Sequence, residues 1–443
     1  MPSYDLVIVG AGSSGCIATK TAVLNGLEVC LIDCKPRQNI GDKICGDAIA
    51  RHHFDSLRIK YPSGQELEHE IKGVKVYSPD MESVFKIEGE GVSGFIIDRL
   101  MLGQRLLKGA LDCGVTFHDN TLALEPIISG SFVKGVKSRN LDTGRVEKIY
   151  SKLTMDASGF SAALRRNLPK KFGFIKSIKN QDLLPCFREI RDAVDFRSDY
   201  CKIFLSQEIA PGGYYWIFPK NNEKVNVGLG IQGIKNHPNP KEMLYKNVLS
   251  KDIFRKSIIL NSGGGFVPTR RPIDSLVSDG IMFLGDAACL VNPIHGGGIG
   301  PSMLSGKLAT EVAVMALSKG IPSKDLLWEY NLKYMKEYGA KQAGLDIFRI
   351  LLQSLKDDEI NYGMKHQLIK PEDILATSLK GELKLSITDK AARVFKGLKK
   401  VDLLRNLKKA SDKMQYAKKL YQNYPKNEEF EAWAKEIRTL YEL

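Results

Sequence analysis

Three glycines set between two short apolar segments constrain this chain more than any other feature. Residues 4–33 read YDLVIVGAGSSGCIATKTAVLNGLEVCLID. An apolar strand over residues 6–9 runs into Gly10, Gly12 and Gly15, a helical stretch follows to Asn25 and closes at Gly26, and a second strand over residues 29–32 ends in Asp33. Strand, glycine turn, helix, strand and acid in this order make a dinucleotide-binding βαβ unit. Gly10 permits the tight turn, Gly12 lets backbone approach a pyrophosphate, and Gly15 lets the helix pack close to the strand. The helix start offers free N–H groups and a positive dipole end to the diphosphate. Asp33 is placed to accept from a ribose hydroxyl. The unit alone does not separate FAD from NAD(P).

The rest of the composition narrows the setting. A chain of 443 residues, 43% of them hydrophobic, can bury one large core or divide into two or three domains. No apolar run approaches the ~18 residues of a membrane span. The chain begins directly with its first strand, leaving no room for a cleaved leader, so a cytoplasmic protein is expected. Eight cysteines, at 16, 30, 34, 45, 113, 186, 201 and 289, include no CxxC pair, which argues against a zinc ribbon, an iron–sulfur site or a disulfide framework. The net charge of +14 fits either well-solvated lysines or attraction to an anionic surface. No nucleic-acid motif is present, so no nucleic-acid partner is expected. Residues 394–409 place Val394, Leu398, Val401, Leu404 and Leu407 roughly on one helical face, with Lys399, Lys400, Arg405, Lys408 and Lys409 around the remainder. Such a helix could lie on the inner face of a membrane as a peripheral contact. Packing on the protein with the basic face in water is the commoner arrangement.

The pattern of elements predicts an α/β protein. A Rossmann-type cofactor domain is assembled from discontinuous segments at 1–60, 95–170 and 269–320. A sheet-rich substrate domain at 61–94 and 171–268 is inserted between them, and a helical region at 321–443 closes the chain. Within the first of these domains Asp98 is expected to cap a helix over residues 99–112 that Gly114 closes. A second ligand-binding turn follows the apolar strand near residue 283. Asp286 sits at that strand's end, where open α/β sheets bind ligands, and Gly296, Gly297, Gly298 and Gly300 expose backbone N–H groups at the start of a long helix. Such a terminus stabilises negative charge. Two anion-binding termini suit FAD, one for the pyrophosphate and one for the flavin ring.

These segments carry a resemblance. The N-terminal unit, Arg99, the DASG turn at 156–159 and GDAACLVNPIHGGGIG at 285–300 resemble flavoproteins of the p-hydroxybenzoate hydroxylase type. Within that group the chain is similar to the geranylgeranyl reductase family, in its archaeal, phospholipid-reducing branch. The discriminating segment is PGGYYWIFP at 211–219 followed by GLG at 228–230, which matches the family's PxxYxWxFP…GxG pattern in full. CGDA at 45–48, VPTRRP at 267–272 and EYGAKQAGLDIFR at 337–349 also fit.

The resemblance implies an oxidoreductase that saturates C=C bonds of geranylgeranyl lipids, with hydride from N5 of reduced FAD plus a proton. It places Ser14 and Gly15 at the pyrophosphate, Asp33 at the adenosine ribose, and Arg99 and Ala123 on the adenosine side. Cys45, Gly46 and Ala48 would line the flavin, Asp286 would meet the ribityl chain, and Gly298 and Ile299 the ring. Lys341 falls where relatives contact lipid. The aromatic run, Tyr214, Tyr215, Trp216 and Phe218, supplies apolar area for an isoprenoid chain. In a strand, Tyr214, Trp216 and Phe218 share one face, and a core aromatic stripe would look the same. Cys45 is the candidate proton donor, against a structural thiol in a turn; His295 is a weaker one. Electrons come from NAD(P)H or a ferredoxin. The competing readings are a flavin monooxygenase or halogenase of the same fold, and a prenyl cyclase or isomerase that uses reduced FAD without net redox change.

Overall fold

Four of the sequence motifs sit at the C-terminal ends of neighbouring parallel strands, which is what brings them together. The computed structural model describes residues 3–221, 223–383 and 400–442. In its larger sheet, strands run parallel in the order Ile281–Phe283, Val146–Asp156, Ser3–Val9 (β1), Val29–Ile32 (β2) and Thr116–His118. The ends of the first four lead into the GDAA turn, the DASG turn, the GAGSSG turn and Asp33 respectively. An antiparallel hairpin, Thr121–Ser129 with Phe132–Asn140, extends from Val146–Asp156. The helix α1 (Ser13–Leu24) follows the glycine turn, and Gly26 after it has φ +81°, the left-handed residue that lets the chain turn into β2. Asp98 caps the helix Arg99–Leu111 by accepting from the Met101 N–H at 2.9 Å.

Close backbone approach explains the glycines. At φ +104°, a Cβ on Gly10 would lie 2.4 Å from the Ala157 carbonyl oxygen, so the first turn is shaped by its neighbour. A Cβ on Gly15 would lie 1.8 Å from the Gly10 carbonyl oxygen. The DASG aspartate holds that neighbouring turn. Asp156 is buried and accepts from Ser158 N–H and Oγ with one oxygen, and from Leu164 and Arg165 N–H with the other.

A second sheet of seven strands, largely antiparallel, runs Ile258–Val267, Leu184–Asp192, Val225–Gly230, Tyr214–Pro219, Tyr200–Phe204, Gly73–Tyr77, Val84–Glu88. A three-stranded sheet, Ala48–Ala50, Gly94–Ile97 and Leu67–Ile71, is built from strands that bracket Gly73–Tyr77 and Val84–Glu88 in sequence. The result is a mixed α/β fold with a Rossmann-type sheet, a second sheet and a helical C-terminal region. That region opens with Lys324–Tyr334, widens into a π turn at Met335–Gly339 and continues as Ala340–Ser354. No helix among the described residues is long and apolar enough to cross a membrane.

The basic helix is corrected in part. Val394, Leu398 and Lys399 lie outside the described residues. From Val401 to Gln422 the chain is helical, and Leu403, Leu407, Ala410 and Met414 are buried in the core that also holds Ala343 and Ile347 of the neighbouring helix. The covered apolar face is centred on Leu403 and Leu407, with Leu404 partly buried, whereas Val401, expected on that face, is exposed with Arg405, Lys408 and Lys409.

The long helix Ile299–Ser318 crosses α1 at Gly306, where a Cβ would lie 2.3 Å from the Ser14 carbonyl oxygen. Thr310 Oγ1 also reaches the Ala18 carbonyl at 3.3 Å. Gly306→Val must push the two helices apart. It should cost about 1–3 kcal/mol of stability, the usual penalty of overpacking, and weaken cofactor retention with it. Urea melts and flavin content of the purified variant check both.

Candidate active site

Two helix starts converge at the sheet's C-terminal edge without side-chain caps. Neither α1 nor Ile299–Ser318 has a capping side chain or an acid in its first turn. Their free N–H groups thus remain available for an anion. The Oγ atoms of Ser14 and Ser302 flank Gly285, where a Cβ would meet them at 3.1 and 2.9 Å. A Cβ on Gly12 would meet nothing within 4 Å, so open space lies where a diphosphate would approach. Arg99 reaches this edge from the helix it begins. Its Nη2 donates to Ser13 Oγ at 2.9 Å, while Nε and Nη1 are buried with no partner. Orphaned guanidinium donors beside the uncapped start of α1 fit a diphosphate group better than the adenosine side, where the resemblance puts Arg99.

The adenosine end is also assembled. Asp33 Oδ2 accepts from the Ala11 N–H at 2.6 Å and Oδ1 from the Lys35 N–H at 2.8 Å. The Thr121 N–H donates to the Asp33 carbonyl at 2.7 Å, which starts Ala123's strand beside the acid. At the other end Asp286 faces Gly298, whose Cβ would lie 3.2 Å from Asp286 Oδ1. Lys43 Nζ donates to Asp286 Oδ2 at 2.7 Å, a partner that sequence reasoning missed, since 243 residues separate the two.

The loop holding Cys45, Gly46 and Asp47 packs on the aromatic strand. A Cβ on Gly46 would lie 3.1 Å from the Phe218 ring and 3.9 Å from the Trp216 indole nitrogen. Asp47 has φ +64°, an unusual value for a residue with a side chain, and it is held by a buried network. Lys220 Nζ donates to Asp47 Oδ2 at 2.8 Å and to the Ile97 carbonyl at 3.2 Å, and also pairs with Glu68. Asn226 Nδ2 donates to Asp47 Oδ2 and to the Cys45 carbonyl, both at 2.8 Å, while its Oδ1 accepts from Trp216 Nε1 at 2.9 Å. Trp216 packs on its cross-strand neighbour Gly228, where a Cβ would lie 2.2 Å from the indole. The first glycine of GLG is thus room for the tryptophan. None of Asp47, Lys220 and Asn226 was legible as a site residue.

Strand alternation places Tyr214, Trp216 and Phe218 on one face, packed with Ile71, Ile96 and Cys201. It removes Tyr215 from that group. Tyr215 points the other way into a separate core and stacks on Phe204 with centroids 4.6 Å apart. The Tyr214 hydroxyl donates to the His295 carbonyl at 2.8 Å, tying the aromatic strand to the glycine loop.

Titratable groups crowd this cleft. The half-buried Cys45 thiol is raised by burial first and the Asp47 charge second, against Arg99 and Lys43, so it stays protonated at neutral pH. Its sulfur accepts from the Asp47 N–H at 3.3 Å. His295 opens on the cleft yet is enclosed closely enough that burial lowers its pKa to about 4. Its Nδ1 accepts from the Gly297 N–H at 3.1 Å, which fixes a neutral ring protonated on Nε2. The His53 ring sits on Gly300 and beside His52, 4.0 Å between centroids. Lys341 enters from just beyond the π turn, its Nζ 4.8 Å from the Tyr338 ring centre, and burial lowers its pKa to about 8. The histidines and the π-turn lysine were not visible as a cluster in the sequence.

Comparison with known proteins agrees with this geometry. Residues 182–267 match the geranylgeranyl reductase catalytic domain. The chain is 44% identical over 442 residues to a digeranylgeranylglycerophospholipid reductase of Sulfolobus acidocaldarius, covering 98% of this chain and 96% of the relative. A reductase of the same name from Methanothrix thermoacetophila is 32% identical, over 86% of this chain and 95% of its own length. Among solved structures, a geranylgeranyl bacteriochlorophyll reductase-like protein of Thermoplasma acidophilum superposes with a TM-score of 0.77 at 24% identity, over 93% of this chain and 100% of the other. A flavin-dependent brominase superposes at 0.63 with 18% identity, over 91% and 100% of the two chains. Both likenesses at these identities show the shared fold.

Lys220→Met leaves Asp47 charged in the interior without its cation. Removing one partner of a buried pair costs about 3–5 kcal/mol, so denaturant melts should show a loss of that order. Adding Asp47→Asn to the same chain should recover much of it. A loss under about 1 kcal/mol, the range of exposed pairs, would mean that water reaches the network.

Proposed function

The chain belongs to the geranylgeranyl reductase family, and from that premise we propose that the protein saturates C=C bonds in the geranylgeranyl chains of archaeal-type isoprenoid phospholipids. The observation that carries this reading is the 44% identity across 98% of the chain to a reductase of such lipids. The aromatic face packed on the Cys45 loop supports it. FAD is the cofactor, and when reduced it supplies the hydride. The residues present suit it. The N–H groups after Gly10 and Gly12, with Ser14, Gly15 and Arg99, take the diphosphate; Asp33 and Ala123 take the adenosine end. Asp286, with Lys43 beside it, takes the ribityl chain, and Cys45, Gly46, Ala48, Gly298 and Ile299 surround the ring. NAD(P)H or a ferredoxin re-reduces the cofactor, and the enzyme works in the cytoplasm at the inner membrane face, where its substrate resides.

The protein's own contribution is to exclude water, align the alkene and supply a proton. Tyr214, half-buried beside the glycine loop and backed by the buried Trp216 and Phe218, offers apolar surface on which an isoprenoid chain gains about 25 cal/mol per Å² of area removed from water. Cys45 is the proton donor. Its environment keeps the thiol in the protonated form that the step requires. Lys341 binds the anionic head group. The histidines around it are held neutral by burial, and Asp55 and Glu90 bear on His52, so Lys341 is the cation of this cluster.

Chemically reduced protein incubated with digeranylgeranyl phospholipid should yield product heavier by two hydrogens for each bond reduced, read by mass spectrometry. Unchanged mass would overturn the reading. In the same assay Cys45→Ser should keep FAD bound and reducible while slowing reduction by about 10²–10⁴-fold, the usual contribution of a positioned acid. Parental turnover would assign the proton to an ordered water.

The head-group role predicts a pH dependence. Lys341 is charged below a pKa of about 8 and neutral above it. Affinity for phospholipid should therefore be high below that pH and fall as pH rises through it. Lys341→Met should be weak throughout and flat with pH, as fluorescence-monitored lipid titrations would show.

A further inference from the structure

One edge of the substrate sheet is apolar and, among the described residues, uncovered. The strand Ile258–Val267 ends the seven-stranded order and pairs on one side only, with Leu184–Asp192. Ile258 is 61% exposed, Ile259 46%, Leu260 53% and Phe266 53%. In a half-buried strand every second side chain turns inward; here three consecutive large apolar residues face solvent. Sheet edges are normally blunted by charge, proline or brevity. Residues 257–266, SIILNSGGGF, carry no charge and no proline.

Two further features say what covers this edge. Arg255 and Lys256, both exposed, immediately precede the apolar residues, and the whole chain carries a net charge of +14. The same strand then runs to the active site. A Cβ on Gly263 would lie 2.4 Å from Ile44 Cδ1, next to Cys45. From Ile259 to Gly263 is ~13 Å along a strand, so the exposed end and the reactive loop lie on one short strand.

We propose that this edge docks on an anionic lipid bilayer. Ile258, Ile259 and Leu260 enter the boundary between head groups and acyl chains, and Arg255 and Lys256 lie against the lipid phosphates. Exposed apolar patches rimmed by polar residues mark such sites, and a basic rim adds attraction to anionic lipid. The purpose of the face rests on the lipid-reductase reading; its existence does not.

The test uses the full-length holoprotein and vesicles that contain no isoprenoid, one set of phosphatidylcholine with phosphatidylglycerol and one of phosphatidylcholine alone. The parent should sediment with the anionic set and only weakly with the neutral one. Ile259→Ser with Leu260→Ser should weaken binding to anionic vesicles by about tenfold or more. Arg255→Glu with Lys256→Glu should weaken it by a similar factor or more. Both variants should keep parental flavin content and parental turnover on detergent-dispersed lipid, which shows that they are folded. A parent that ignores anionic vesicles, or variants that bind as the parent does, would overturn the proposal. So would a dimer in solution that the serine pair dissolves, because the edge would then be covered by a second copy. Vesicle binding without any reductase activity would strike the functional reading and leave the docking face standing.

Discussion

The buried pair between Lys220 and Asp47 is the joint on which the site depends. The two side chains are 2% and 1% exposed, and an ion pair this deep is not a cheap source of stability, because each charge gives up its hydration. What it gives is position. Asp47 needs a left-handed backbone, and Lys220 stands at the end of the aromatic strand, so the pair fixes the Cys45 loop against that strand. Asn226 extends the same joint to the Trp216 indole. Glu68 from the three-stranded sheet and Lys224, just before Val225–Gly230, close the group, leaving two cations facing two carboxylates. The loop expected to line the flavin and the wall expected to hold the lipid are thus one hydrogen-bonded unit.

The parallel sheet does the complementary work for the cofactor. Because its strands point the same way, four turns far apart in sequence emerge at one edge. Hydrogen bonds between those turns, such as Ala157 N–H to the Val9 carbonyl and Leu284 N–H to the Asp156 carbonyl, keep them in register. The DASG aspartate belongs to this scaffold: its carboxylate is spent on four local donors. Its place in the motif reflects turn construction more than ligand contact.

What the sequence made legible was local. The βαβ unit, the Asp98 cap, the long helix after the glycine loop and the alternation of Tyr214, Trp216 and Phe218 all rest on spacings of a few residues, where periodicity and capping chemistry act directly. Tyr215 is a case where alternation already contained the answer and the aromatic composition obscured it. The partners that define the site's electrostatics were hidden for a physical reason. Lys220 lies 173 residues from Asp47 and Lys43 lies 243 from Asp286, and no local rule connects such positions. Lys341 owes its place to the π turn, one extra residue in a helix that periodicity alone reads as regular. The basic helix shows the converse. Its amphipathic pattern was real, but a pattern does not say whether the apolar face meets lipid or another helix.

The two uncapped helix starts have a consequence for the life of the protein. Arg99 stands beside the start of α1, and the two helix starts gather positive potential at one edge of the fold that no capping side chain among the described residues offsets. The cofactor is therefore also a counterion for the folded state. A ligand that binds only the folded chain stabilises it in proportion to its supply, by about 2.7 kcal/mol when its concentration is a hundredfold above Kd. A cell short of flavin would hold this protein not merely idle but more often unfolded and more readily degraded, so vitamin status would set its abundance before it set its rate.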